Sequence, residues 1–254
     1  MKLWAIAVNT FKEAVRNKIF YLLLVFGIVF ALSSRLVGLL TLGDATKVLK
    51  NVGLASINFF SVLIAIFAGT NLIYKELDKK TIYNILSKPI SRSDFIVGKF
   101  LGLAYTLLVA LVSMGTVFFL FLFISTGEFD WRILIYFGLL YLELLIITSI
   151  SLVFSSFSTP ILSSIFTIII YLVGHVLWTF NEFKYKLVEP VFKVIAHFFY
   201  YILPNLEKFN LRDQIVMNMK IDMQIVFVSV IYGILYIAAL LILGILIFNK
   251  REFK

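Results

Sequence analysis

Six apolar runs, each long enough to cross a bilayer, follow one another at about Ile19 to Leu42, Leu54 to Tyr74, Phe95 to Ile124, Ile133 to Phe157, Ile161 to Phe180 and Ile225 to Phe248. A spanning helix needs roughly 20 mostly apolar residues. In hydrocarbon every backbone N–H and C=O must be bonded inside the protein, which leaves only helices and closed barrels. Barrel strands would read as alternating segments of about 10 residues, and these runs do not alternate. With 61% hydrophobic and 15% charged residues, the chain is also too apolar for a soluble domain. The expectation is an all-α integral membrane protein, one helical membrane domain over residues 1–254.

Ahead of the first run, Leu3, Trp4, Ala7, Val8, Phe11, Ala14 and Val15 recur at helical spacing, with Asn9, Lys12, Glu13 and Arg16 on the opposite arc. Residues 1–18 therefore read as an interfacial helix lying on the membrane, with Trp4 at headgroup level. Ala31-Leu32-Ser33 resembles a leader cleavage site, but hydrophobicity resumes from Leu36 to Leu42, so the first run is expected to span. The net charge of +9 sits at the ends of apolar runs, which points to orientation and anionic lipid rather than to nucleic acid. With the N-terminus inside, 13 Lys and Arg fall on the inner side and 10 on the outer, where they are spread over longer loops. Both termini are thus expected to be cytoplasmic, in the inner cell membrane. Ser155 to Pro160 reads as a tight inner hairpin. The outer region 181–222 carries an apolar face from Val191 to Ile202, opened by Pro190 and closed by Pro204. At about 13 residues it is too short to cross, so a re-entrant helix is expected before the sixth span.

Between the second and third runs lies KELDKKTIYNILSKPISR, Lys75 to Arg92. Its charges exclude it from the bilayer core, and Pro89 disfavours helix at Lys88, so the pattern is helix, short helix, turn, helix. Ser91 followed by Asp94 has the spacing of an N-cap with a first-turn acid. Glu76 and Thr81, then Leu86-Ser87-Lys88-Pro89-Ile90-Ser91-Arg92, then Gly98-Lys99, resemble the signature of ABC-2 type transporter permeases, which reads acid-x-x-x-Gly-Thr, Leu-x-x-Pro-x-Ser-Arg, Gly-Lys. Lys80 stands where that pattern has glycine. The layout of spans and flanking helices resembles the family over nearly the whole chain.

The resemblance implies that a cytoplasmic coupling helix between spans two and three docks a separate ATP-binding subunit. Its contact residues would be Lys75, Glu76, Asp78, Lys79, Lys80, Thr81, Ile82, Ile85, Leu86, Lys88, Pro89, Ser91 and Arg92. It also implies a second permease subunit, identical or not, and an exporter whose ATP and magnesium are held by the partner, with no cofactor on this chain. A charged rim around Ile82, Ile85 and Leu86 suits reversible docking in water. Gly98-Lys99 is no P-loop, because Ser93 stands where the upstream glycine belongs and Phe100 follows the lysine.

Arg35, Glu143 and His175 fall inside apolar runs and are the intramembrane polar candidates. At 1.5 Å per residue Arg35 lies about 10 Å deep and Glu143 about 15 Å, so the two are placed to pair, with His175 nearer the outer surface at about 8 Å. Gly98 and Gly102 form a small-xxx-small pair that suits a contact within one subunit or between two. No cysteine, H-E-x-x-H, G-x-S-x-G or aspartate cluster supplies a metal site or a nucleophile. Lys193 and His197, one helical turn apart, read as a wet face. Two other readings stay open: an ATP-independent secondary transporter, and a permease-like anchor or assembly factor for metalloenzyme maturation or gliding machinery.

Overall fold

The computed structural model describes residues 2–39, 44–78, 91–127, 129–183 and 202–250, with backbone alone for residue 2, 71–78 and 178–183. Eight α-helices and one 3-10 turn occur among them: α1 (Lys2–Val15), α2 (Lys18–Leu39), α3 (Ala45–Asp78), α4 (Arg92–Thr126), α5 (Arg132–Ser155), α6 (Pro160–Phe183), η1 (Leu206–Phe209), α7 (Arg212–Val216) and α8 (Met223–Lys250). Helices α2 to α6 and α8 are the six long and apolar enough to cross a membrane. Helix α1 packs along the start of α4, and Arg92 at that start meets the end of α8, so these helix ends share one face, the termini face. The 190–204 element expected to be re-entrant lies mostly outside the described residues.

Helix α5 is the axis of the bundle. It packs against α3, α4, α6, α8, η1 and α7, and 67% of its span is buried inside the chain, against 17% in α8. Its apolar residues run round every side of the helix, the pattern of a helix enclosed by others. Serines and threonines on α5 satisfy themselves on their own helix: Thr148 donates to the Leu144 carbonyl at 2.8 Å and Ser149 to that of Leu145 at 2.8 Å. That bonding lets them lie in an apolar interior.

Local chemistry sets the helix ends. The Ser91 hydroxyl accepts the Asp94 N–H at 3.0 Å, as the spacing of the two residues predicts. Gly127 closes α4 at φ +71° with its N–H on the Phe123 carbonyl, the left-handed cap that glycine adopts without strain. Asp44 caps α3, its carboxylate accepting from the N–H groups of Thr46 and Lys47. This helix therefore starts nine residues before Leu54, the expected beginning of the second span. Lys47, Lys50 and Asn51 make that first stretch look like loop, but Lys50 is neutralised by a distant partner.

That partner is Asp130. On the face opposite the termini, Lys50 Nζ meets Asp130 Oδ2 at 2.9 Å, both side chains almost fully buried. Arg132 completes a fork on the same carboxylate, with Nε on Oδ1 at 2.8 Å and Nη2 on Oδ2 at 2.9 Å. Its Nη2 also donates to Asn218 Oδ1 at 2.7 Å, and its Nη1 to the Met219 carbonyl at 3.3 Å. One carboxylate thus staples α3, the α4–α5 turn and the segment before α8. Burial raises the Asp130 carboxyl, but hydrogen bonds from Arg132 and Lys50 outweigh it and hold the group below its ordinary 3.8.

On the termini face, α1 lies along the start of α4. The side chain of Ile6 and the Leu3 carbonyl fill the space beside Gly98, and the Ala7 carbonyl and Thr10 Cβ lie 2.5 Å from where a Gly102 Cβ would stand. The glycine pair is therefore an intrachain contact. Thr10 is fully buried there, Phe11 meets Tyr105 edge-on at 4.6 Å, and Trp4 stays exposed. Asn17 turns the corner into α2 by accepting the Ile19 N–H.

Two outcomes follow from these contacts. Gly102→Val forces α1 off α4 at a cost of about 1–3 kcal/mol, typical of overpacking. Amide exchange is expected to quicken in residues 3–15 and to stay unchanged in α5, and unaltered exchange in both would refute the contact. Asp130→Asn leaves Lys50 buried without its counter-charge and lowers stability by about 3–5 kcal/mol in thermal unfolding at neutral pH. Because the folded carboxyl is depressed, its contribution is full above 3.8 and is lost as pH falls through the folded value. The variant should lack that acid-linked loss.

Candidate functional site

Helix α3 continues unbroken to Asp78, past the apolar run that ends at Tyr74. Residues 75–78 extend about 6 Å along the helix axis. They carry Lys75, Glu76 and Asp78 at the helix end, just before the rest of the expected docking surface. Lys79, Lys80, Thr81, Ile82, Ile85, Leu86, Lys88 and Pro89 lie outside the described residues. Ser91 and Arg92 are described, and both are engaged at the start of α4. The Arg92 guanidinium donates to the carbonyls of Phe248 at 3.1 Å and Asn249 at 2.8 Å. It thereby caps the C-terminal end of α8, where orphan carbonyls and the helix dipole favour a cation. Phe95 stacks on Phe248 beneath it at 5.5 Å. Nearby, Lys99 is buried beside Glu13 of α1 at 3.8 Å.

The three intramembrane candidates separate. Arg35 is exposed on α2, whose main packing is against α3. The expected pairing of Arg35 with Glu143 is therefore not what forms. Depth followed from helical rise, but the direction each side chain takes round its helix did not, and Glu143 points toward α6. There its Oε1 lies 3.0 Å from His175 Nε2. The other ring nitrogen, Nδ1, lies 2.9 Å from Oε2 of Glu207 in η1. Glu207 in turn accepts from the Asn210 amide at 3.0 Å.

This carboxylate–imidazole–carboxylate chain opens outward in steps. The Glu143 side chain is 1% exposed, that of His175 21% and that of Glu207 35%. Tyr171 sets its ring edge-on to the imidazole at 4.8 Å and donates its hydroxyl to Asn58 Oδ1 at 3.2 Å. Neither Glu207 nor Asn210 stands out in the sequence. Each is one polar residue in a mixed stretch, and only folding brings η1 against α5 and α6. The Pro204 carbonyl and Leu206 side chain seat against Gly174, where a Cβ would collide with both. Among the described residues no three His, Asp or Glu converge as metal ligands.

From the relay a line of hydroxyls continues between α3, α5 and α6 toward the termini face. Ser151 Oγ and Thr167 Oγ1 lie 3.5 Å apart, Thr70 and Ser164 3.1 Å, and Ser158 and Ser163 2.6 Å. Most of these hydroxyls also bond a carbonyl one turn back on their own helix, as Thr70 does at Ile66 and Thr167 at Ser163. Of these contacts Thr70–Ser164 joins the second span to the fifth, and Ser151–Thr167 the fourth to the fifth.

Comparison with known proteins agrees with the motif on the α3–α4 connection. No curated protein matches the chain. The family described as ABC-2 family transporter protein matches residues 4–253. Six apolar helices and a match over almost the entire length place this multi-pass membrane protein in the ABC-2 transporter family.

Proposed function

We propose that the chain is the permease subunit of an ATP-driven exporter, energised by a separate ATP-binding subunit that docks on residues 75–92. The carrying observation is the continuity of α3 and α4. The 34 residues of α3 and 35 of α4 enter and leave the charged connection without a break. At 1.5 Å per residue each is a rod of about 50 Å, longer than the hydrocarbon is thick. A push on the connection is therefore delivered along α3 to Thr70 and Asn58, where the polar contacts to α6 lie.

In this reading the termini face is cytoplasmic, in the inner membrane, and a second permease subunit, identical or not, completes the pathway. ATP and magnesium reside in the partner ATPase, and closure of the ATPases rocks the spans so that the pathway opens alternately. Spans two and five, α3 and α6, line or gate it, meeting through the polar contacts Thr70–Ser164 and Asn58–Tyr171. Helix α1, seated on α4 through Gly98 and Gly102, transmits movement in the membrane plane.

Pull-down of the detergent-solubilised chain tests the docking surface. Reversing Glu76→Lys and Asp78→Lys together is expected to release a co-purifying ATPase while leaving the thermal stability of the permease unchanged. Arg92 stays native in that variant, because its guanidinium caps α8. Full retention of the ATPase would overturn the surface.

A further inference from the structure

Docking of an ATPase makes no use of Glu143, His175 and Glu207, which lie toward the other face. Both ring nitrogens of His175 face carboxylate oxygens, at 2.9 and 3.0 Å. Each contact needs a hydrogen, since two lone pairs at that separation repel. A neutral imidazole carries only one N–H. The three groups must therefore hold two protons among them, with a combined charge of −1. They do so either as imidazolium between two carboxylates or as neutral imidazole donating to one carboxylate and accepting from the other in its acid form.

Other proton counts weaken the chain. With one proton fewer, one nitrogen–oxygen contact has no hydrogen. With one more, a carboxylate becomes a neutral acid. On Glu207 that change removes the negative charge from the group that accepts from His175 and Asn210, so both hydrogen bonds lose their charge assistance.

The groups around the imidazole are few. Helix α5 supplies Glu143 and Tyr136, α6 supplies Tyr171, and α3 supplies the uncharged Asn58. Arg212 of α7 acts electrostatically on Tyr136 and Tyr171, and its neighbour Asp213 is exposed. Lys208 of η1 is drawn away over the Tyr232 ring of α8, at 4.3 Å.

We propose that Glu143, His175 and Glu207 form a proton-binding site open to the face opposite the termini, whose two-proton form latches η1 onto α5 and α6. A proton from solvent bonds first to Glu207, the most exposed member. Transfer inward is concerted: His175 accepts at Nδ1 the proton that Glu207 releases and gives its Nε2 proton to Glu143. The heavy atoms stay in place, and the charge on a carboxylate deep in the bundle is set by the pH of the far face. This rests on geometry alone and holds whichever partner drives the chain.

Hydrogen–deuterium exchange of the full chain in lipid nanodiscs, read against pH and corrected for intrinsic exchange, tests the latch. A His197→Gln background makes His175 the only histidine. Amides of residues 206–216 are expected to be most protected at intermediate pH and to exchange about tenfold faster on both the acid and alkaline limbs, the loss of one charge-assisted hydrogen bond. Glu207→Gln, which keeps the shape but cannot titrate, should lose the acid limb, and His175→Gln should lose both, with α4 protection unchanged as the folding control. A profile that is flat in the His197→Gln background, or an acid limb that persists in Glu207→Gln, would overturn the proposal. If a variant does not fold, the profile in the His197→Gln background decides alone.

Discussion

Every polar group that enters hydrocarbon must find its partner within the protein, and the whole structure is organised by that demand. Backbone groups meet it through uninterrupted helices. Side chains meet it in three ways. Serines and threonines bond their own helix, as Thr148 does at Leu144. Lys50 and Asp130 neutralise each other across 80 residues of sequence, with Arg132 completing the charge balance. Glu143 meets it through His175. The first device suits a core helix because it needs no neighbour. The other two tie elements together, so the charges that are costliest to bury also hold α3, α5, η1 and the segment before α8 in register.

The same demand divides the molecule into two working ends. On the termini face, α1 is seated on α4, Arg92 caps α8 and α3 runs on past the apolar region. That end is braced, which suits the docking surface proposed for it. At the opposite end the links are ionic and titratable, so they can be remade by proton movement without disturbing apolar packing. Between them the Thr70–Ser164 and Ser151–Thr167 contacts bridge helices whose motion would connect the two ends.

How much was legible in the sequence follows from how local each determinant is. The six apolar runs and the Ser91–Asp94 cap are properties of contiguous residues, and six long apolar helices and that cap form. The start of α3 was hidden because Lys50 and Asn51 read as loop, and the acid that allows Lys50 to be buried is on another helix. Helical rise set the expected depths of Arg35 and Glu143, but pairing depends on side-chain direction, and Glu143 turns to His175 instead. Glu207, which completes the relay, lies in a stretch with no periodic signal and gains its role only when Leu206 and Phe209 bury η1 in the bundle. The relay depends on three residues each separated by 32 positions, which no contiguous pattern brings together.

The side of the membrane that carries residues 75–92, and what covers them there, decides where work enters the chain. Because the native sequence has no cysteine, Asn84→Cys gives a single thiol within the docking segment. Its labelling by a membrane-impermeant maleimide should be measured in inside-out and right-side-out vesicles, with and without the partner ATPase. Labelling only in inside-out vesicles, blocked when the ATPase is bound, is the predicted result. Labelling in right-side-out vesicles, or equal labelling with the ATPase bound, would contradict it.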